Sequence, residues 1–124
     1  MKRLTRQRQV ILEGFKLTKR PLSAKEILNI ASKELPLINL ATIYRNLKTL
    51  LEEEVIVHVE VPGQPPRYEC RGLSHHHHFL CQRCDRLFDV EGCLPGLTKL
   101  IPEGFKLTSH DITLYGFCEQ CKTS

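Results

Sequence analysis

The sequence predicts an α+β chain in two parts, helices first and short strands after. Three observations predict it. Apolar residues recur at helical spacing through residue 53, and the spacing switches to alternation over 55–61. Beyond that point, four of the six cysteines fall into two C-x-x-C pairs, Cys81/Cys84 and Cys118/Cys121.

Each element has its own signals. Thr5 suits an N-cap, and Val10, Ile11, Leu12 and Phe15 follow as a stripe to be buried. Pro21 interrupts. Ser23 then caps a second helix, with Glu26 three residues on as a capping box and Ala24, Ile27, Leu28 and Ala31 as its inner face. Pro36 ends it. Asn39 caps a third helix over 40–53, where Leu40, Ile43, Leu47 and Leu50 share one face and Thr42, Arg45, Asn46 and Thr49 the other, flanked by Tyr44 and Lys48. The acidic run 52–54 closes it. Val55, Val57, Val59 and Val61 then alternate with Ile56, His58 and Glu60 as a strand. Residues 62–66 (Pro-Gly-Gln-Pro-Pro) read as a turn or hinge, and Arg67 to Cys70 as a returning strand. Three helices followed by a two-stranded ribbon is the order of a winged helix-turn-helix, whose third helix is offered to the major groove.

The second half predicts a small α/β domain. Short strands are expected at 78–80 and 87–90 around the first C-x-x-C pair. A short helix is expected near 93–101, and strands at 105–108 and 111–115 lead to the second pair. The hexapeptide at 13–18 recurs at 103–108, a single short match that makes no repeat architecture.

Charge is unevenly placed. Residues 1–62 hold 11 Lys/Arg and 7 Asp/Glu, whereas residues 63–124 hold 7 of each. A local basic excess in the helical half suits phosphate contact. The chain opens on Met1-Lys2-Arg3 with no signal-peptide core and has no apolar run of membrane-spanning length. The expected setting is therefore cytoplasmic, with no membrane partner and a reducing environment. There, C-x-x-C pairs are metal ligands or redox dithiols more often than structural disulfides. Two pairs supply the four soft ligands of a tetrahedral zinc, whereas a redox dithiol needs no second pair.

The run His75-His76-His77-His78 directly precedes the first pair. In extended backbone, alternate side chains share a face, so His76 and His78 point one way and His75 and His77 the other. One run can feed two sites, and imidazole suits zinc, iron and nickel alike. A metal-dependent hydrolase needs an open coordination position and a general base, and no H-E-x-x-H or H-x-E accompanies these histidines. An enzyme with a small-molecule substrate is therefore not expected, and a metal-storage role predicts no metal-dependent DNA binding.

Five stretches together resemble the ferric uptake regulator superfamily of metal-sensing repressors. They are residues 5–8 (Thr-Arg-Gln-Arg), 22–27 (Leu-Ser-Ala-Lys-Glu-Ile), 41–47 (Ala-Thr-Ile-Tyr-Arg-Asn-Leu), 75–84 and 116–121. The resemblance implies a homodimer on a palindromic double-stranded DNA operator. It implies a winged-helix DNA-binding domain at 1–62, a hinge at 63–66, and a dimerisation and metal-binding domain at 67–124. Cys81, Cys84, Cys118 and Cys121 match the family's structural zinc ligands. Tyr44 and Arg45 match its base-contacting pair, with Thr42 beside them and Arg8, Arg6, Lys2 and Arg3 as further DNA contacts. Beside the family the chain begins at the helix of Thr5, and the basic arm of other members is reduced to residues 1–4.

Within the superfamily the chain is most similar to the zinc uptake regulators, which place a Cys before the histidine run and a ligand on the wing. That similarity implies a regulatory site of His58, Cys70, His76 and His78. A third site, from His75, His77, Cys93 and His110, puts Cys93 where the family has a carboxylate. The expected function is a metal-dependent transcriptional repressor of uptake genes that senses zinc, the cation tying the two domains together across the hinge. The alternative is an iron- or peroxide-responsive regulator, with Fe2+ or Mn2+ held by Glu69, His76, His78 and Asp89. In that reading the iron sensors' histidine before the second helix is replaced by Arg20-Pro21.

Overall fold

The computed structural model describes residues 5–93 and 95–122, so the candidate DNA contacts Lys2 and Arg3 lie outside the described residues. The chain forms two compact units, Met1–Leu73 and Ser74–Ser124. Among the described residues, no helix is long and apolar enough to cross a membrane.

In the first unit, helices α1 (Arg6–Thr18), α2 (Ala24–Ala31) and α3 (Leu40–Glu52) pack on a small sheet of β1 (Leu22–Ser23), β2 (Ile56–Val59) and β3 (Arg67–Cys70). Each helix begins where its cap residue stands. Thr5 Oγ1 accepts the Arg8 N–H at 3.2 Å, and Asn39 Oδ1 accepts the Thr42 N–H at 2.9 Å. Ser23 and Glu26 complete a capping box in both directions. Val10, Ile11, Phe15, Ala24, Ile27, Ala31, Ile43, Leu47 and Leu50 form one core with Leu22, Ile56 and Tyr68. At Gly14 a Cβ would lie 3.2 Å from the Ile30 side chain, so the missing side chain lets α1 and α2 approach closely.

The sheet differs from the expected two-stranded ribbon. Its order is β1-β3-β2, because Leu22 and Ser23 pair antiparallel with Tyr68 and Arg67. Burial along β2 does not alternate strictly: Ile56 and Val59 are buried, whereas Val55 and His58 are exposed. The expected hinge at 63–66 is the turn of the β2–β3 hairpin, with the Gln64 N–H on the Val61 carbonyl and Gly63 at φ +78°. The boundary between units is therefore not at 62–66. Arg67 to Cys70 belong to the first unit, and the chain divides after Leu73.

The second unit is a three-stranded sheet in the order β5-β4-β6, from β4 (His76–Cys81), β5 (Leu87–Glu91) and β6 (Thr113–Gly116). β5 runs antiparallel and β6 parallel to β4. The helix expected near 93–101 is reduced to a single 3-10 turn, Leu97–Leu100, after Pro95. The strand expected at 105–108 is irregular backbone. Gly116 lies against the Phe79 ring, where a Cβ would be 3.0 Å away, so β6 sits close on β4 at the entry to the second C-x-x-C pair.

Candidate metal centres and reading helix

The β4–β5 hairpin positions the first cysteine pair. Its strands end on Leu80↔Leu87, and the connection turns tightly, with Asp85 at φ +62° donating its N–H to the Cys81 carbonyl. The second pair turns in the same way: the Cys121 and Lys122 N–H groups both reach the Cys118 carbonyl. β6 pairs Gly116 with Cys81, which carries the second turn onto the first. The four sulfurs of Cys81, Cys84, Cys118 and Cys121 thereby come within 4.8 Å of one another. The backbone N–H groups of Cys84 and Cys118 point at Cys81 Sγ, at 3.5 and 3.4 Å.

Electrostatics separates these thiols. Burial raises Cys81, but the N–H groups of Cys84, Cys118 and Arg83 outweigh it and hold its thiol down to about 6. Burial and the neighbouring sulfurs push Cys121 up to about 12, and burial raises Cys84. Without a cation, the cluster thus favours thiolate at Cys81 and disfavours it at Cys84 and Cys121. A divalent ion would remove that conflict, and four converging thiolates are the donor set that a structural zinc takes.

Alternation along β4 separates the histidines. His76 and His78 lie on one face, and Asp89 joins them because it pairs in register with His78. Asp89 Oδ1 is 3.5 Å from His76 Nε2 and 3.6 Å from His78 Nε2. The Nδ1–H of His76 donates to the Ser74 carbonyl at 2.7 Å, so the neutral ring presents its Nε2 lone pair toward Asp89. An outer nitrogen anchored on a carbonyl is the usual second-layer support of a ligating histidine. Two imidazoles and a carboxylate, with positions left open, suit iron(II)-class cations.

His75, His77, Cys93 and His110 converge on the other face, their donor atoms within 4.8 Å of one another. His77 Nε2 lies 3.1 Å from His75 Nε2 and 3.3 Å from Cys93 Sγ, and His110 Nε2 lies 3.0 Å from the same sulfur. His77 Nδ1 accepts the Ile112 N–H at 3.2 Å, which places the ring proton of the neutral form on Nε2. For the neutral ring to meet a cation through Nε2, the proton must move to Nδ1 and the Ile112 contact be given up, the reverse of the arrangement at His76. Burial, with His75 and His110 nearby, lowers the His77 pKa and keeps the ring neutral.

Two expected regulatory ligands, Cys70 and His58, belong to the first unit. Cys70 packs against the core of the first unit, and burial raises its thiol pKa, which disfavours the thiolate that a metal needs. His58 is exposed, with its ring 5.1 Å from the Tyr68 ring. Among the described residues, neither belongs to a cluster of potential metal ligands. Glu69 is buried on β3, opposite Val57.

On α3, Tyr44 and Arg45 are exposed, and Tyr44 keeps 49% of its surface. Thr42 is buried and not on the outer face. Its Oγ1 accepts the Arg45 Nη2–H at 3.0 Å, so it orients Arg45 and is not itself displayed for contact. Periodicity missed this pairing, for which the signal is the i, i+3 spacing of a hydroxyl and a guanidinium. Arg8, expected on phosphate, is drawn into a part-buried ion pair with Glu53 at 3.4 Å. Arg6 stays largely exposed beside Glu34.

Comparison with known proteins agrees with this architecture. The ferric uptake regulation protein of Bacillus subtilis strain 168 is 32% identical over 106 residues, covering 81% of this chain and 71% of that protein. The peroxide operon regulator of the same organism is 27% identical over 124 residues, covering 96% and 83%. A zinc-bound manganese uptake regulator superposes with a TM-score of 0.81 at 24% identity, covering 94% and 91%, a likeness of fold. Residues 2–115 match the sequence pattern of the ferric uptake regulator family, and the chain belongs to that family.

Proposed function

We propose that this chain is a metal-dependent transcriptional repressor that binds palindromic operator DNA as a homodimer. In this reading a structural zinc is held by Cys81, Cys84, Cys118 and Cys121. The regulatory cation is held through His76, His78 and Asp89. The observation that carries the choice of cation is the Asp89 carboxylate in register with His78, while Cys70 lies in the first unit's core. Harder oxygen donors favour iron(II) or manganese(II) over a thiolate-bound zinc. The alternative of an iron- or peroxide-responsive regulator is therefore preferred to zinc sensing. His75, His77, Cys93 and His110 form a third, separate site.

Coupling to DNA runs along the chain. Only residues 71–75 separate the last wing strand from His76, and the His76 ring grips the Ser74 carbonyl inside that crossover. Fixing His76 as a ligand restrains the crossover and so narrows the orientations open to the reading helix. A coupling of about 1–3 kcal/mol is ordinary for such a linkage. The exposed Leu100, Phe105, Leu114, Tyr115 and Phe117 are the second unit's candidates for the face that meets a second copy.

The test is operator binding by fluorescence anisotropy, with iron(II), manganese(II) or zinc(II) restored separately after mild chelation. Asp89→Ala should abolish the metal response and Cys70→Ser should leave it intact. The opposite pattern returns the regulatory site to Cys70 and the signal to zinc.

A further inference from the structure

We propose that Cys93 is an oxidant-reactive thiol that governs occupancy of the His75/His77/His110 cluster: a hydroperoxide oxidises its sulfur, and the cluster then releases its divalent cation. The inference rests on the reading of this cluster as a metal site. Cys93 is exposed, just past the end of β5, so small oxidants reach it. Its sulfur lies 3.0 Å from His110 Nε2 and 3.3 Å from His77 Nε2. His77, with its Nδ1 accepting the Ile112 N–H, turns an Nε2–H donor toward that sulfur when no cation is bound.

Stoichiometry of charge sets this cluster apart. Cys93 is its one anionic donor, beside three neutral imidazoles. Losing one sulfur in the four-cysteine cluster leaves three thiolates on the ion, whereas losing Cys93 leaves none. In the four-cysteine cluster Cys81 is buried under two backbone N–H groups while Cys84 is exposed like Cys93, so the clusters differ in the thiolates left after one oxidation rather than in access. A single two-electron oxidation therefore empties the histidine-rich cluster first.

The step balances. The thiolate attacks one peroxide oxygen, an S–O bond forms and the O–O bond breaks. The sulfur is oxidised by two electrons to a sulfenic acid, and the leaving hydroxide takes a solvent proton to become water. Two equivalents of a low-molecular-weight thiol reverse it, giving back the Cys93 thiol with one disulfide and one water.

The test uses the full chain loaded with zinc alone, freed of excess metal and titrated with hydrogen peroxide beside a chromogenic zinc chelator. About one zinc per protomer should appear at about one equivalent of peroxide, and a sulfenic-acid trap should label Cys93. Added thiol should restore binding. Cys93→Asp keeps an anionic donor without sulfur, so it should bind the same zinc and hold it under the same oxidant. Retention by the natural chain, equal release from Cys93→Asp, or trapping only on the four-cysteine cluster overturns the proposal while the metal site stands. If His110→Ala and the natural chain load equal zinc, the metal reading itself fails, and the proposal with it.

Discussion

The two units fold by different means. The first closes twelve residues from three helices and a sheet around one apolar core, and all three of its helices are capped by a side chain. In the second, only Leu80, Cys81, Leu87 and His77 are buried among the described residues, and two of those four are candidate metal ligands. Its larger apolar side chains, from Leu100 to Phe117, stay on the surface. A unit of this size with so small a core needs a staple or a partner to stay folded. The difference teaches that hydrophobic burial is enough to hold α3 in the first unit, whereas the second unit has too small a core to do the same alone.

The largest expected effect follows from that contrast. Stripping the four-cysteine cluster with a strong chelator, or replacing Cys118 by Ser, should unfold the second unit and leave the first intact. Structural zinc in small peptides binds with an apparent energy of about 10–16 kcal/mol, far above what the buried Leu80 and Leu87 side chains supply. Circular dichroism should retain its helical signal while limited proteolysis opens the region after Leu73. A second unit that stays protected without metal would break the comparison.

The converse change belongs to the first unit. Ile43 is fully buried in α3. Ile43→Ala should cost about 2–5 kcal/mol in urea unfolding followed at the helical band, because the cavity cannot collapse between three packed elements. Zinc content should not change. If metal is lost together with the helical signal, the units do not fold by separate means.

Legibility in the sequence divides along the same line. Caps are local, so Thr5, Ser23 and Asn39 could be read directly from their neighbours. The side assignment of the histidines was local too, because alternation on one strand needs no partner. What could not be read was non-local. β1 is two residues long and exists only through pairing with Tyr68 and Arg67. Burial on β2 falls on both Ile56 and Val59, an irregular pattern that strand alternation alone does not give. Cys70 packs against the core of the first unit, where burial disfavours its thiolate. The place of Asp89 was within reach by counting outward from the cysteine turn, since Leu80↔Leu87 implies His78↔Asp89.

The smallest expected effects test what a preformed core does for recognition. Arg45 is exposed on α3, and its guanidinium is held by the buried hydroxyl of Thr42. A base-reading arginine contributes about 1–3 kcal/mol, so Arg45→Ala should weaken operator binding by that amount and relax sequence discrimination. Thr42→Val keeps the buried shape and removes only the hydroxyl, so its cost should be smaller, about 0.5–1.5 kcal/mol, the range of one hydrogen bond. Neither change should alter the urea midpoint by much or the metal content at all. Measured together, the two variants isolate orientation from contact. If Thr42→Val has no effect in the natural background, Arg45 is positioned by the DNA on binding rather than beforehand. If it weakens binding in the natural background but not in Arg45→Ala, the core of the first unit orders the side chain that reads the groove.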